Sequence, residues 1–200
     1  MFIIGICGAS GSGKTTMARD FAKKLEGCVV LNQDAYYLDR SALSIEERSK
    51  LNYDHPSSFD HDLLFNDVQA LREGRTIIRR TYDYVQHCRV DHIQELLEPK
   101  DVLIIEGIHA FYDERLRNLM DFRIYIEVDS DTCLLRRIKR DFSERERNID
   151  SIYEQYTKMV KPMFENYIRP AKNFADVVVF GGGKNARITD ILAGFIKNQN

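Results

Sequence analysis

The chain predicts a doubly wound α/β fold: a five-stranded parallel sheet with helices on both faces. Three observations carry this. Five short apolar β segments end near Cys7, Asn32, Gly107, Val128 and Phe180. Segments of helical period separate them, and parallel neighbours need such crossovers. The first β segment also runs straight into a glycine-rich turn and then a helix, Gly8-Ala-Ser-Gly-Ser-Gly-Lys-Thr15. The 200 residues suit one domain, 1–200, long enough to bury a sizeable core.

The bulk numbers set limits. Hydrophobic content of 44% and charged content of 30% are those of an ordinary soluble globule. A net charge of −2 argues against a nucleic-acid polymer as partner. No apolar run reaches membrane-spanning length, and Met1-Phe-Ile-Ile-Gly5 lacks the basic stretch of a secretion signal. Cys7, Cys28, Cys88 and Cys133 show no C-x-x-C spacing. They read as reduced thiols, mostly small core residues, in a reducing and therefore cytoplasmic setting. No metal-cage spacing, repeat or low-complexity linker is visible.

The first strand, Phe2–Cys7, leads into Gly8, Ala9, Ser10, Gly11, Ser12 and Gly13, then Lys14, Thr15 and Thr16. This is the G-x-x-x-x-G-K-T (Walker A) spacing, in the strand–turn–helix context that gives it meaning. Glycines let the backbone curl and turn its N–H groups towards an anion, and the following helix directs its positive end to the same place. Lys14 would neutralise outer phosphates and Thr15 would offer a hydroxyl to Mg²⁺. The helix buries Met17, Ala18, Phe21, Ala22 and Leu25, and Gly27 closes it.

Cys28–Asn32 is the second strand, which places Asp34 on the same rim as the phosphate turn, although a capping or turn role fits Asp34 as well. Residues 38–60 look irregular. Ser44 and Glu47 have capping-box spacing, and Pro56 forces His55 out of helical geometry in Asn52-Tyr-Asp-His-Pro56. A helix from His61 to Glu73 buries Leu64, Val68 and Leu71 before Gly74 ends it. Residues from about 76 to 91 form a β-ribbon, in which Tyr82, Tyr84 and His87 can pack on an aromatic base or on the body of the protein.

The third clear strand ends in Glu106-Gly107, resembling the second acidic element of phosphate-loop enzymes, so Glu106 is a candidate metal contact with Thr15. Phe122–Val128 is the fourth strand. Ser130 is placed to cap a helix with an inner face of Leu134, Leu135 and Ile138 and a basic outer face of Arg136, Arg137, Lys139 and Arg140. Such a run is usually a solvated face, but an arginine-bearing segment, about 136–150, could also close as a lid over a triphosphate. A further helical stretch from Ile149 is broken or kinked at Pro162. Ala175–Phe180 is the fifth strand. Gly181–Gly183 turns the chain, and Asn185 caps a last helix that buries Ile188, Ile191, Leu192 and Phe195.

Several stretches together resemble the uridine–cytidine kinase family of phosphate-loop kinases. They are Gly8–Thr15, Gln33-Asp-Ala-Tyr-Tyr37, Asn52-Tyr-Asp-His-Pro56 with Phe59-Asp60, Tyr82-Asp-Tyr84, Glu106-Gly-Ile108, Arg136-Arg-Ile-Lys-Arg-Asp141 and Gln155-Tyr156. The resemblance spans nearly the whole chain. It implies transfer of the γ-phosphate of ATP or GTP, with Mg²⁺, to the 5′-hydroxyl of uridine or cytidine. On it, Asp34 matches the group that accepts or orients the hydroxyl proton. Lys14 and the lid arginines Arg140 and Arg145 match phosphate contacts. Asp54 and Arg147 match ribose contacts, Gln155 a further sugar contact, Tyr82 and His87 contacts to the pyrimidine edge, and Tyr53 and Tyr84 rings around the base. Tyr37 and Arg137, inside the matching stretches, join the acceptor set. The family also implies a homo-oligomer, dimer or tetramer.

Three positions depart from that pattern: Arg80 and Phe180 stand where prolines are usual, and Glu146 where a glycine is usual. Two other readings compete. A kinase of the same superfamily could act on another small alcohol, in the manner of a phosphoribulokinase or pantothenate kinase. A nucleotide-dependent switch is the other, but the Asn-Lys-x-Asp guanine-reading motif is absent.

Overall fold

The structure is a computed structural model, described here for residues 1–90, 95–144 and 148–199. The described strands are β1 (Phe2–Gly8), β2 (Cys28–Asn32), β3 (Ile77–Ile78), β4 (Tyr82–Asp83), β5 (Cys88–Arg89), β6 (Leu96–Leu97), β7 (Val102–Glu106), β8 (Phe122–Glu127) and β9 (Val177–Phe180). Five of them make one sheet in the order β2-β7-β1-β8-β9, every pair parallel. These are the five strands expected from the sequence. Their ends are level: Ile6 stands beside Glu106, and Glu106 beside Asn32.

The described helices are α1 (Lys14–Lys24), α2 (Ile45–Ser49), α3 (His61–Arg72), α4 (Glu114–Arg117), α5 (Ser130–Glu144), α6 (Ile149–Gln155), α7 (Lys161–Met163) and α8 (Ala186–Lys197). Strand alternation sorts the core into two layers. Ile3, Leu31, Leu103 and Ile105 pack with Leu64, Val68 and Leu71 of α3. Ile4, Ile6 and Ile104 pack on the opposite face with Met17 and Phe21 of α1 and Leu192 and Ile196 of α8. Glu106 lies two residues beyond Ile104, so the same alternation turns it towards the start of α1.

Local signals hold where the chemistry is short-range. Ser44 and Glu47 form a reciprocal capping box, Asp60 caps α3, and Asn185 caps α8. Several expectations are corrected. Ser130 is the first residue of α5 and not its cap; the Cys133 N–H donates to the Asp129 carbonyl, which puts Asp129 at the cap position. The buried stripe of α5 is Cys133, Arg137 and Asp141, while Leu135 is 68% exposed; Asp54 and Gln155 come to meet Arg137 of that stripe. The buried face of α8 is Thr189, Leu192, Ala193 and Ile196, with Ile191 and Phe195 exposed. Pro162 does not break its helix. Helical turns continue from α6 to Ile168 through π-helical segments Tyr156–Val160 and Phe164–Ile168 on either side of it. Wider turns take up the missing N–H and the ring. The ribbon is real but divided: β4 pairs with β5, whereas β3 pairs with β6, beyond the expected boundary.

Candidate active site

The phosphate end is built by the turn between β1 and α1. Gly13 precedes α1 at φ 98° and supplies no side-chain cap, and no acidic residue occupies the first turn. The helix therefore presents its N–H groups uncapped to the cleft beside it, which suits an anion. That cleft measures about 660 Å³, and Ser10, Gly11, Gly13, Lys14, Thr15 and Thr16 line it. Gly8, Ala9 and Ser12 stand behind the turn and do not line the cleft; Ser12 is fully buried. The Lys14 ammonium folds back on its own turn, donating to the Ala9 carbonyl at 2.9 Å.

Thr15 and Glu106 meet. The Thr15 hydroxyl donates to Glu106 Oε1 at 2.8 Å. Burial raises the Glu106 carboxyl above its ordinary range, Lys14 opposes that rise, and Asp34 adds to it. A hydroxyl and a buried carboxylate, with Asp34 nearby, are hard oxygen donors that a divalent cation would relieve. Among the described residues there is no cluster of three or more His, Cys, Asp or Glu side chains able to cage a metal. One hydroxyl and one carboxylate are a donor set that Mg²⁺ could share with phosphate oxygens and water.

Asp34 lies in a one-turn 3-10 helix, Gln33–Tyr36, whose start is capped by the Asn32 side chain accepting from the Asp34 N–H. Asp34 thus has its backbone held while its carboxylate stays outside the cap. That carboxylate borders the 660 Å³ cleft and also a second, narrow chamber of about 60 Å³. Ser10, Tyr84, Ile108 and Arg140 border both as well.

The narrow chamber gathers the acceptor residues expected from the sequence. Tyr37, Tyr53, Asp54, Tyr82, Tyr84, His87, Arg137 and Gln155 all line it. Rings form its apolar wall. Tyr37 stacks on Phe59 with centroids 4.3 Å apart, and Tyr53 stacks on His87 at 5.2 Å. Burial, with Asp34 and Asp54 nearby, pushes the Tyr37 hydroxyl well above its ordinary value and keeps it neutral. The Tyr53 and Tyr82 hydroxyls face each other and interact, and neither has another hydrogen-bond partner, so a polar ligand edge would meet them together. His87 adopts φ 50° in the hairpin turn, opposite an Asp83 carboxylate that accepts from the Val85 and Gln86 N–H groups. A side chain does here what glycine does in most such turns.

The basic helix α5 closes this chamber by charge and not by apolar packing. Arg137, 5% exposed, donates to Gln155 Oε1 at 2.9 Å and pairs with Asp54 at 3.5 Å and Asp141 at 3.2 Å. Arg140 pairs with Asp141 at 2.8 Å and reaches Ser10 Oγ at 3.5 Å. Asp54 is thereby held from the far side of the chain. Arg145, Glu146 and Arg147 lie outside the described residues. Arg80 donates from Nε to Asp67 of α3 at 3.4 Å.

Some site residues carry no motif and are found only in three dimensions. His109 is 2% exposed, and its Nε2–H donates to the Asp54 carbonyl at 2.7 Å. Its N–H donates to the Gln33 side chain at 2.9 Å. Gly183, Lys184, Arg19 and Arg136 border the large cleft. The only sequence signal for Gly183 is its place in the Gly181–Gly183 run.

Two chambers meeting at a carboxylate suit an enzyme that passes a phosphoryl group from a nucleotide to a small alcohol, and the fold is that of the phosphate-loop kinases. Comparison with known proteins narrows the class. Residues 3–187 match the Phosphoribulokinase / Uridine kinase family, and the chain belongs to it. It is 45% identical to a uridine kinase of Halalkalibacterium halodurans, covering 98% of this chain and 93% of that one. It is 48% identical to a uridine kinase of Klebsiella pneumoniae, over 95% and 92%. In three dimensions it is similar to phosphoribulokinase from Rhodobacter spheroides, with a TM-score of 0.62, 16% identity and coverage of 93% and 74%. That likeness speaks to the fold. Among the described residues no helix is long and apolar enough to cross a membrane.

Proposed function

We propose that the chain transfers the γ-phosphate of ATP or GTP to the 5′-hydroxyl of uridine or cytidine. One observation carries the reading: Asp34 borders both chambers, so a hydroxyl in the narrow one and a phosphate in the wide one would meet at its carboxylate. Uridine kinases identical at 45–48% of positions support a pyrimidine ribonucleoside as acceptor.

In this mechanism the nucleotide's phosphates rest on the cleft-facing residues of the turn, Ser10, Gly11, Gly13, Thr15 and Thr16, and on Lys14. The nucleoside enters the narrow chamber with its base between Tyr53, Tyr82, Tyr84 and His87 and its ribose on Asp54 and Gln155; the resemblance alone adds Arg147 to the ribose contacts. Arg137 holds Asp54 in place. Asp34 accepts the 5′-hydroxyl proton as the oxygen bonds to the γ-phosphorus and the bond to the β-phosphate oxygen breaks. Lys14, Arg140 and Arg145 offset the charge spread over the migrating group. Thr15 and Glu106 would hold Mg²⁺, which neutralises phosphate charge when bound. Two ribose hydroxyls held by buried polar groups would make 2′-deoxy sugars poor acceptors. Four unpaired cysteines suit a cytoplasmic setting.

The test is ADP release over a panel of ribonucleosides, their 2′-deoxy forms and other small alcohols, each with ATP and with GTP. Release stimulated by uridine or cytidine is the expected result. Release stimulated only by another alcohol would replace the acceptor and leave the transfer chemistry standing.

A further inference from the structure

We propose that Arg80 is a positioning residue for the acceptor: its ion pair with Asp67 fixes the angle at which the hairpin bearing Tyr82, Tyr84 and His87 meets Asp34. The proposal rests on the transfer reading above for its kinetic consequence, though not for its geometry.

Arg80 sits one residue outside the last backbone bond of the hairpin, in which the Val90 N–H donates to the Thr81 carbonyl at 3.0 Å. Its Nε reaches Asp67 Oδ2 at 3.4 Å. The same oxygen accepts from the Tyr36 hydroxyl at 3.1 Å. Tyr36 is fully buried and is the last residue of the turn that carries Asp34. One carboxylate oxygen therefore holds the base of the hairpin and the Asp34 turn together.

At the other end the Tyr84 hydroxyl donates to Asp34 Oδ2 at 3.0 Å. A two-stranded hairpin with four residues in regular pairing is flexible alone. Ring contacts of Tyr82 with Tyr37 at 4.9 Å and of His87 with Tyr53 at 5.2 Å hold its face, and the polar contacts at base and tip set the angle at which it meets Asp34. The side chains of Arg80 and Asp67 are 24% and 11% exposed, so water and salt screen this pair little. Removing Arg80 leaves Asp67 as a buried carboxylate with Tyr36 alone, a loss that the neighbourhood must relax to absorb. The pair Arg89–Asp60, at 3.9 Å, ties the second strand to the start of α3 more loosely.

The test compares Arg80→Met, Arg80→Lys and Asp67→Asn with the unaltered chain by steady-state kinetics and by hydrogen exchange of the Val90 amide. Arg80→Met is expected to raise the KM for the nucleoside about tenfold, the ratio one charge-assisted hydrogen bond is worth. It should lower kcat, leave the nucleotide KM unchanged, and speed Val90 exchange without changing exchange in the central sheet. Arg80→Lys should restore most of the nucleoside KM. Asp67→Asn, which keeps a partner for Tyr36, should repeat the Arg80→Met pattern. Val90 protection equal to that of the unaltered chain, or equal losses for nucleotide and nucleoside, would overturn the proposal. An unaltered chain that phosphorylates no pyrimidine ribonucleoside would instead sink the acceptor assignment, and the exchange comparison would still decide the role of Arg80.

Discussion

The Tyr84 hydroxyl donates to Asp34 Oδ2 at 3.0 Å, joining a hairpin tip to a strand end 50 residues away. The bond holds the carboxylate at the junction of the two chambers in one orientation. Asp34→Asn keeps the shape and removes the base. Turnover is expected to fall by a factor on the order of 10²–10⁴, with nucleotide binding retained in a titration with a fluorescent analogue. Tyr84→Phe should cost far less, because the carboxylate survives. Wild-type turnover in Asp34→Asn would remove Asp34 from the chemistry.

Thr15 and Glu106 make a different kind of pair. Here a buried carboxylate waits beside a hydroxyl where the phosphates would lie. Glu106→Gln retains the hydrogen bond and discards the charge. The Mg²⁺ concentration for half-maximal rate should rise about tenfold, the effect typical of losing a group that supports a metal, and excess Mg²⁺ should recover much of the rate. Direct Mn²⁺ titration provides a readout independent of turnover. Unchanged metal affinity would leave Glu106 a structural residue.

Gly183 lies against the phosphate turn so closely that a Cβ there would stand 1.9 Å from the Gly13 carbonyl oxygen. Its N–H donates to the Ser12 carbonyl at 3.2 Å. Gly183→Ala must push the two segments apart, at a cost of about 1–3 kcal/mol by analogy with overpacked interiors. Because the displaced segment is the phosphate turn, the nucleotide KM should rise while the nucleoside KM stays put. Thermal unfolding and the two KM values together check this; parallel losses in both KM values would contradict it.

His109 gives a pH dependence of stability. Burial lowers its imidazole from 6.5 to about 4; the Asp54 carbonyl and charge oppose that, and His61 and His55 reinforce it. The unfolded chain thus takes up a proton below about pH 6.5, which the folded chain resists until about pH 4. The contribution to stability is full above 6.5 and is lost as pH falls from there through 4, by an amount on the order of 3 kcal/mol. His109→Gln cannot titrate and should flatten the denaturant midpoint across that window. Identical acid slopes in the two proteins would show that His109 is not the sensor.

How much was legible beforehand follows from the range of the interactions. The five central strands were readable because each is a contiguous apolar run. The capping box at Ser44 and the turn at Gly13 were readable because they are local. The buried face of α5 was not. Apolar periodicity favours Leu134, Leu135 and Ile138, but Arg137 is buried with Cys133 and Asp141 because Asp54, more than eighty positions earlier, and Gln155 come to meet it. An ionic interior leaves no hydrophobic period. In α8 the core takes Leu192 and Ile196, which leaves Ile191 66% exposed and Phe195 half-exposed beside the ring of Phe122. The pairing of Ile77–Ile78 with Leu96–Leu97 is too short to have a period. The acceptor residues were named through resemblance, and the fold brings eight of them to one chamber. His109 escaped because nothing in its immediate sequence sets it apart, and Gln33, though inside a matching stretch, was given no role because its partner, the His109 N–H, is 76 positions away.

Ile6, Glu106 and Asn32 stand abreast in neighbouring strands. The phosphate turn, the Glu106 carboxylate and the turn that carries Asp34 all leave the sheet from that one line. Deleting a single residue from β7 would send Glu106 to the opposite face, while inserting several in the loop after Tyr37 would leave the line untouched. The chemistry is thus indexed by residue counts inside three strands. Length variation belongs in the loops, where a designer can lengthen or graft without retuning the centre.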